Sequence, residues 1–317
     1  MRVYDVALIG CGNVAGMYGD ATNKLLQTHA YAYSKNPRTN LVAAADIDKN
    51  RLDKFCRKWG VENKFLSVKQ MMEDINPEIV SICSPTSYHY QHLKLVSSHS
   101  ISGVFLEKPL SDDINECKKI MQMRHSFPIA INYFRRWNID FQQLKENFDQ
   151  CLYGDIKKVT AHYTKGLKNN GSHIIDLLLW FLGDLHLEKV LRKYLKIDND
   201  FGVDCLLSSK GDIPITLIHI QEVDYVFIEL EIICEKGLVR ISQRGQKIDI
   251  YKKQTDPDYK VFNRLDLDQS IETRWNDSFS NAIENLVLAI EGKEKVSCTK
   301  EDAYKVSLLC EEILMSD

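Results

Sequence analysis

Val6-Ala7-Leu8-Ile9-Gly10-Cys11-Gly12-Asn13-Val14-Ala15 is the stretch that decides how this chain folds. Four apolar residues in a row suit a strand covered on both faces. The run stops on Gly-x-Gly-x-x-Ala. In this pattern Gly10 allows a tight turn and Gly12 lets the backbone approach a pyrophosphate. Ala15 keeps the following helix close to the strand, with its N-terminus facing the phosphates. Gly10, Gly12, Asn13, Val14 and Ala15 are therefore expected to cradle a dinucleotide. The competing explanation is a plain turn with two permissive glycines, and the strand-helix alternation beyond the motif weakens it.

Working outward, four more apolar runs appear: Leu41–Ala45 ending in Asp46, Ile79–Cys83 ending in Ser84-Pro85-Thr86, Val104–Leu106, and Ile129–Ile131. Helix-length polar segments separate them, among them Lys49–Lys58, Tyr90–Ser97 and Asp112–Met123, the last with Ser111 as N-cap. Strands alternating with helices imply a parallel, doubly wound sheet. A carboxylate at Asp46 accepts hydrogen bonds from the adenosine ribose and repels a 2′-phosphate, which favours NAD over NADP. Asp48 competes for that role, and Lys49 and Arg51 soften the preference. Asp46 lies beyond the glycine loop at more than the usual spacing of about 20 residues, so Gly16–Gln27 reads as an insertion.

The fourth run ends on Glu107-Lys108-Pro109. Proline cannot continue a ladder, and ligands bind at the carboxyl ends of strands in open α/β sheets. Lys108 and its neighbour Glu107 therefore stand at the expected active edge, although in isolation a surface turn is the better explanation.

The chain's 317 residues suggest two domains, divided at 124/125. A net charge of −3 argues against a nucleic-acid partner. Nine cysteines without Cys-x-x-Cys spacing argue against a metal site or disulfide framework and for a reducing, cytoplasmic setting. No apolar stretch is long enough to span a bilayer, so no membrane association is expected.

In this order, the glycine loop, Asp46, Ser84-Pro85-Thr86 with His89 three residues on, Glu107-Lys108-Pro109, Asn132–Arg136, and Gly171-Ser172-His173-Ile174-Ile175-Asp176 leading to Leu182-Gly183 form a specific combination. The chain resembles the Gfo/Idh/MocA family of nicotinamide-dependent oxidoreductases. The resemblance implies an N-terminal Rossmann domain (1–124) followed by an α+β domain (125–317). The second domain would carry a large open mixed sheet, commonly a homodimer or homotetramer contact, and its last helices could pack back on the first domain. The later sequence fits, with strands read at Ile156–Tyr163, Cys205–Ser209, Pro214–Gln221, Tyr225–Cys234 and Gly237–Ser242. Helices are read at Ser172–Phe181, Ser278–Ala289 and Lys300–Met315.

The resemblance further implies that Lys108 reaches both nicotinamide and the reacting hydroxyl, and that His173 serves as acid or base. Ser84, Pro85, Thr86, His89 and Glu107 would border the cofactor. One of Arg135 and Arg136 could contact a phosphate or carboxylate of the substrate, a solvated pair being the alternative, and Tyr163, Lys165 and Asn169 would line the sugar pocket. Asn169 is a departure, because the family usually has a carboxylate four residues before the histidine. An amide cannot stabilise an imidazolium as a carboxylate does. Asp176 follows His173 by one helical turn, in a binding or a structural role. A cationic nicotinamide beside Lys108 would lower its pKa, enabling it to take the proton or to polarise the hydroxyl. The implied activity is NAD-dependent oxidation of a secondary hydroxyl on a sugar, nucleotide-linked sugar or cyclitol. The alternatives are a keto-sugar or imine reductase and a non-catalytic dinucleotide-binding regulator.

Overall fold

The computed structural model describes residues 2–18, 27–197, 200–221 and 223–316. The chain divides into two compact units. One comprises residues up to Trp137 together with Asn276–Tyr304, and the other comprises Asn138–Trp275 with Lys305 onward.

The first unit is built on a parallel sheet of six strands: β1 Tyr4–Ile9, β2 Thr39–Ala45, β3 Asn63–Phe65, β4 Ile79–Ile82, β5 Gly103–Leu106 and β6 Ile129–Ile131. Their order is β3-β2-β1-β4-β5-β6, the doubly wound arrangement of dinucleotide-binding folds, and it reverses between β1 and β4. Each of β4, β5 and β6 is buried along its whole length, which is why an uninterrupted apolar run announces it. The unit continues through Trp137 because β6 pairs with β5 and because Ile131 N–H donates to Cys298 O at 3.0 Å.

The helices of this unit are α1 His29–Lys35, α2 Lys49–Trp59, α3 Val68–Ile75, α4 His89–Val96 and α5 Ile114–Gln122. Asp48 caps α2 by accepting from Asn50 and Arg51 N–H, and left-handed Gly60 ends it. The cap of α5 is Asp113, which accepts from Asn115 N–H, and not Ser111. Ser111 instead donates its hydroxyl to Glu116. Helix Ser278–Ile290 lies against β5, so closely that a Cβ on Gly103 would sit 2.8 Å from Ile290 Cδ1. Arg38, just before β2, pairs with Glu284 and Glu291 at that helix.

The regular helix expected directly after the glycine loop is absent. Asn13–Met17 forms a single wide turn interrupted at Gly16, whose carbonyl accepts from Trp59 Nε1 at 3.0 Å. A Cβ on Gly16 would sit 2.3 Å from that nitrogen, so the indole fills the space. Most of the insertion read at Gly16–Gln27 lies outside the described residues.

The second unit contains α6 Ile139–Asp149, β7 Ile156–Tyr163, α7 Ser172–Leu182 and seven further strands: β8 Leu185–Ile197, β9 Asp200–Ser209, β10 Pro214–His219, β11 Ile228–Cys234, β12 Gly237–Ser242, β13 Lys247–Thr255 and β14 Asn263–Glu272. They form one mixed sheet ordered β14-β13-β12-β11-β7-β10-β9-β8, in which β7 pairs parallel with β10 and antiparallel with β11. α7 buries Ile174, Ile175, Leu177 and Leu178 on the unit's core side. Sequence reading missed β3, β8, β13 and β14. The outermost strand, β14, is exposed at nearly every position and has no apolar face to betray it.

Gly10 ends β1 at φ +86°, and a Cβ there would lie 2.7 Å from Ser84 N, a backbone atom that cannot yield. Gly10→Ala is expected to cost about 1–3 kcal/mol, read as a lowered midpoint in urea unfolding. An unchanged midpoint would show that neither constraint operates.

Candidate active site

Gly10, Gly12, Asn13 and Val14 line a cavity of about 410 Å³ at the carboxyl ends of β1, β2 and β4. This is the point at which the strand order reverses. Among the described residues nothing lies within 4 Å of where a Gly12 Cβ would be, and Gly12 faces the cavity. Ala15 does not line the cavity. It is fully buried, packed with Leu8, Cys11, Phe55 and Cys56.

Asp46 stands at the end of β2 on the cavity wall, its carboxylate largely buried. Cys11 N–H donates to Oδ2 at 2.8 Å and Asp48 N–H to Oδ1 at 2.8 Å, while Arg51 Nε lies 3.0 Å from Oδ2. One carboxylate thus ties the glycine loop to the start of α2. Asp48 is occupied as the cap of α2, and its hydrogen bond from Arg51 N–H heads the causes that hold its carboxyl below the usual range. Lys49 pairs with Asp53 on the surface, whereas Arg51 faces the cavity. An exposed glycine-loop backbone, a lone buried carboxylate and a half-exposed arginine fit a dinucleotide's pyrophosphate and ribose. Among the described residues, no group of three or more His, Cys, Asp or Glu is arranged to hold a metal ion.

Ser84 and Pro85, beyond the end of β4, also line the cavity; Thr86 starts a short 3-10 turn outside it. His89 is buried and bridges two loops, with Nε2 3.0 Å from Ser84 O and Nδ1 2.9 Å from Pro109 O. Burial lowers its pKa despite both carbonyls. The histidine that faces the cavity is His92, one turn further along α4, with Nδ1 2.8 Å from Ser84 Oγ. Burial first, and His89 second, push its pKa down to about 4, so it is neutral at physiological pH. Sequence reading missed His92, together with Ile47, Leu66, Val68 and Tyr88 on the cavity wall. The available signal was His89 and His92 sharing a helix face at i, i+3.

Lys108 follows β5 and is half-buried; its N–H donates to Glu107 Oε2 at 3.3 Å. The Glu107 carboxylate is turned inward. Oε1 lies 2.7 Å from His29 Nε2 and accepts from Asn132 Nδ2 at 2.5 Å. Burial alone would raise its pKa, but the His29 and Asn132 hydrogen bonds and the charge of Lys108 prevail and lower it. Arg136 does not line the cavity. It is buried, with Nη1 3.0 Å from Asp302 and 3.4 Å from Ser297 O.

In the second unit, His173 is half-buried on the first turn of α7, and Asp176 on the same helix is fully buried. Asn169 is exposed on the wide helical turn Leu167–Gly171 that precedes α7, its N–H donating to Asp200 Oδ2 at 2.8 Å. Lys165 is exposed at φ +61°. Tyr163 departs from the expected pocket-lining position: it is fully buried, and its hydroxyl donates to Val203 O at 2.9 Å and accepts from Val203 N–H at 2.8 Å.

Residues 4–126 match the family model described as "oxidoreductase family, NAD-binding Rossmann fold". D-glucoside 3-dehydrogenase of Escherichia coli K12 is 27% identical over 199 residues, covering 56% of this chain and 54% of that protein. Myo-inositol 2-dehydrogenase of Thermotoga maritima is 24% identical over 151 residues, covering 47% and 42%. In these alignments the chain spans about half the length of the curated relatives. Two crystal structures share the fold over nearly the whole chain. Apo scyllo-inositol dehydrogenase from Lactobacillus casei has a TM-score of 0.73 at 20% identity, covering 98% of this chain and 94% of that one. An oxidoreductase from Agrobacterium radiobacter in complex with NAD⁺, L-tartaric acid and magnesium has a TM-score of 0.74 at 16% identity, covering 97% and 94%. Over residues 4–126 this chain is similar to the Gfo/Idh/MocA oxidoreductase family, in its NAD-binding Rossmann fold.

Proposed function

We propose that this protein is a nicotinamide-dependent dehydrogenase that oxidises a secondary hydroxyl of a sugar, nucleotide-linked sugar or cyclitol, with NAD as the preferred cofactor. The observation that carries the reading is the His89 bridge between Ser84 O and Pro109 O. It couples the loop bearing Lys108 to the loop that walls the dinucleotide cavity. The dehydrogenases of glucoside and inositol among the relatives support the substrate class.

The bound dinucleotide would supply the hydride acceptor. Gly10, Gly12 and Asn13 would hold its pyrophosphate by main-chain N–H groups, and Asp46 its adenosine ribose. Ile47 and Leu66, both exposed and apolar beside Asp46, would cover the adenine. Lys108 would donate to the substrate hydroxyl and stabilise the oxygen as negative charge develops on it. His173 takes the role of proton acceptor from the sequence resemblance alone. The first test is a panel of methyl glucosides, myo-inositol and nucleotide-linked sugars, followed by absorbance of reduced cofactor with NAD and NADP. No signal from any member with either cofactor would sink the reading.

Lys108→Ala is expected to lower turnover by about 10²–10⁴-fold while leaving NADH affinity, read by nicotinamide fluorescence, within about threefold. Parental turnover in this variant would remove Lys108 from the chemistry. Asp46→Ala also loosens the glycine loop, so the discriminating quantity is the ratio of NAD to NADP affinity. That ratio is expected to fall by about tenfold to a hundredfold, the worth of a hydrogen bond to a charged group. Arg51, freed from Asp46, would add to the change. Equal losses for both cofactors would separate Asp46 from the ribose.

A further inference from the structure

We propose that His29 is a positioning residue of the reaction centre, holding the Glu107 carboxylate in place so that the Lys108 loop keeps its geometry. The inference rests on the reading of Lys108 as the donor to the substrate hydroxyl, and it adds a residue for which that reading has no use. His29 opens α1, and its ring is wholly buried. Nδ1 lies 2.8 Å from Ser81 Oγ on β4, and Nε2 lies 2.7 Å from Glu107 Oε1 beyond β5. Ser81 Oγ lies 2.9 Å from the hydroxyl of Tyr33, also buried.

One arrangement of protons satisfies this whole chain. Tyr33 donates to Ser81, Ser81 donates to Nδ1, and Nε2–H donates to Glu107. The chain runs one way and terminates on the carboxylate. Its far end, Tyr33, is sealed from solvent, so it orients the carboxylate and offers no exit for a proton. The surroundings would favour an apolar residue. Phe105 lies 4.6 Å from the His29 ring centroid and Phe279 lies 5.6 Å away. A packed hydrophobe at such a site is often as good for stability as a buried polar pair. The group that needs an imidazole is Glu107, whose Oε2 receives the Lys108 N–H and whose Oε1 receives Asn132. Without His29 the carboxylate would keep two of these three donors, and its hold on Lys108 would loosen.

The test uses the full chain with His29→Leu, which fills the box without a donor, and His29→Gln, whose amide reaches the Nε2 position and restores the bond to Glu107. Turnover is measured on whichever of methyl glucoside or myo-inositol reacts faster. Titration of Lys108 is followed separately by NMR of ¹³C-methylated lysines, which requires no activity. His29→Leu is expected to lower kcat by about 10–100-fold, the usual cost of removing a supporting partner, with KM and NADH affinity little changed. The Lys108 midpoint should move, and His29→Gln should recover most of both effects. Ser81→Ala removes the other anchor of the ring and should give the same signature at smaller amplitude, which covers the case in which the leucine variant does not accumulate. Parental kcat and an unmoved Lys108 midpoint in the variants that fold would overturn the proposal. So would a glutamine variant as impaired as the leucine one. If the parent turns over no substrate while the Lys108 midpoint still depends on His29, the dehydrogenase reading falls and the positioning role stands.

Discussion

Glu107 is the constraint around which the carboxyl edge of the first unit is arranged. A carboxylate withdrawn from water is tolerable only when partnered. Its partners come from three places: His29 on α1, Asn132 just past β6, and the N–H of Lys108. Satisfying one charge therefore fixes three segments at once. Burial pushes the carboxyl pKa up, the contacts push it down, and the contacts prevail. Lys108 thus follows a permanent, immobile anion, and an ammonium group beside such an anion has a defined electrostatic setting before any substrate arrives.

The two glycines of the nucleotide loop meet different demands. Gly10 is required by the protein itself, through its positive φ and the backbone of Ser84 pressed against it. Gly12 has an ordinary φ of −79°, and none of the described residues lies where its side chain would be, so none of them demands a glycine there. Asp46 completes the loop from the other side by holding Cys11 N–H. The same carboxylate is thus a structural acceptor that also lines the cavity.

The parallel sheet was readable in the sequence because strands buried on both faces write themselves as continuous apolar runs, and because each run here ends on a turn-forming or charged residue. Asp46 and Lys108 were readable for the same reason: strand ends are marked locally. Three strands of the second sheet escaped notice, β8, β13 and β14: β14 is exposed at nearly every position, and β13 is buried only over Ile248–Ile250. His29 was not readable. The partners of His29 are 52 and 78 residues distant, so no local pattern records them. Arg136 and Tyr163 are buried, and a charged or hydroxyl-bearing residue near an expected pocket can equally be turned inward. Here Asp302 and the Val203 main chain receive them.

Asn169 stands where a carboxylate was expected, yet the loop that leads to His173 has one. Asp200, at the start of β9, accepts from Asn169 N–H at 2.8 Å. It lies so close that a Cβ on Gly166 would be 2.0 Å from its Cγ. The glycine at 166 is thus a matter of volume, its φ of −94° being open to any residue. The field of Asp200 reaches further into the unit: it opposes the burial that lowers the pKa of His219, and it adds to the burial that raises that of Tyr163. An aspartate at 169 would bring a second carboxylate to this loop. Two like charges at short range disfavour each other's ionisation, so one of them would be driven toward its neutral form. An amide at 169 avoids that conflict, leaving the negative charge of the loop to Asp200.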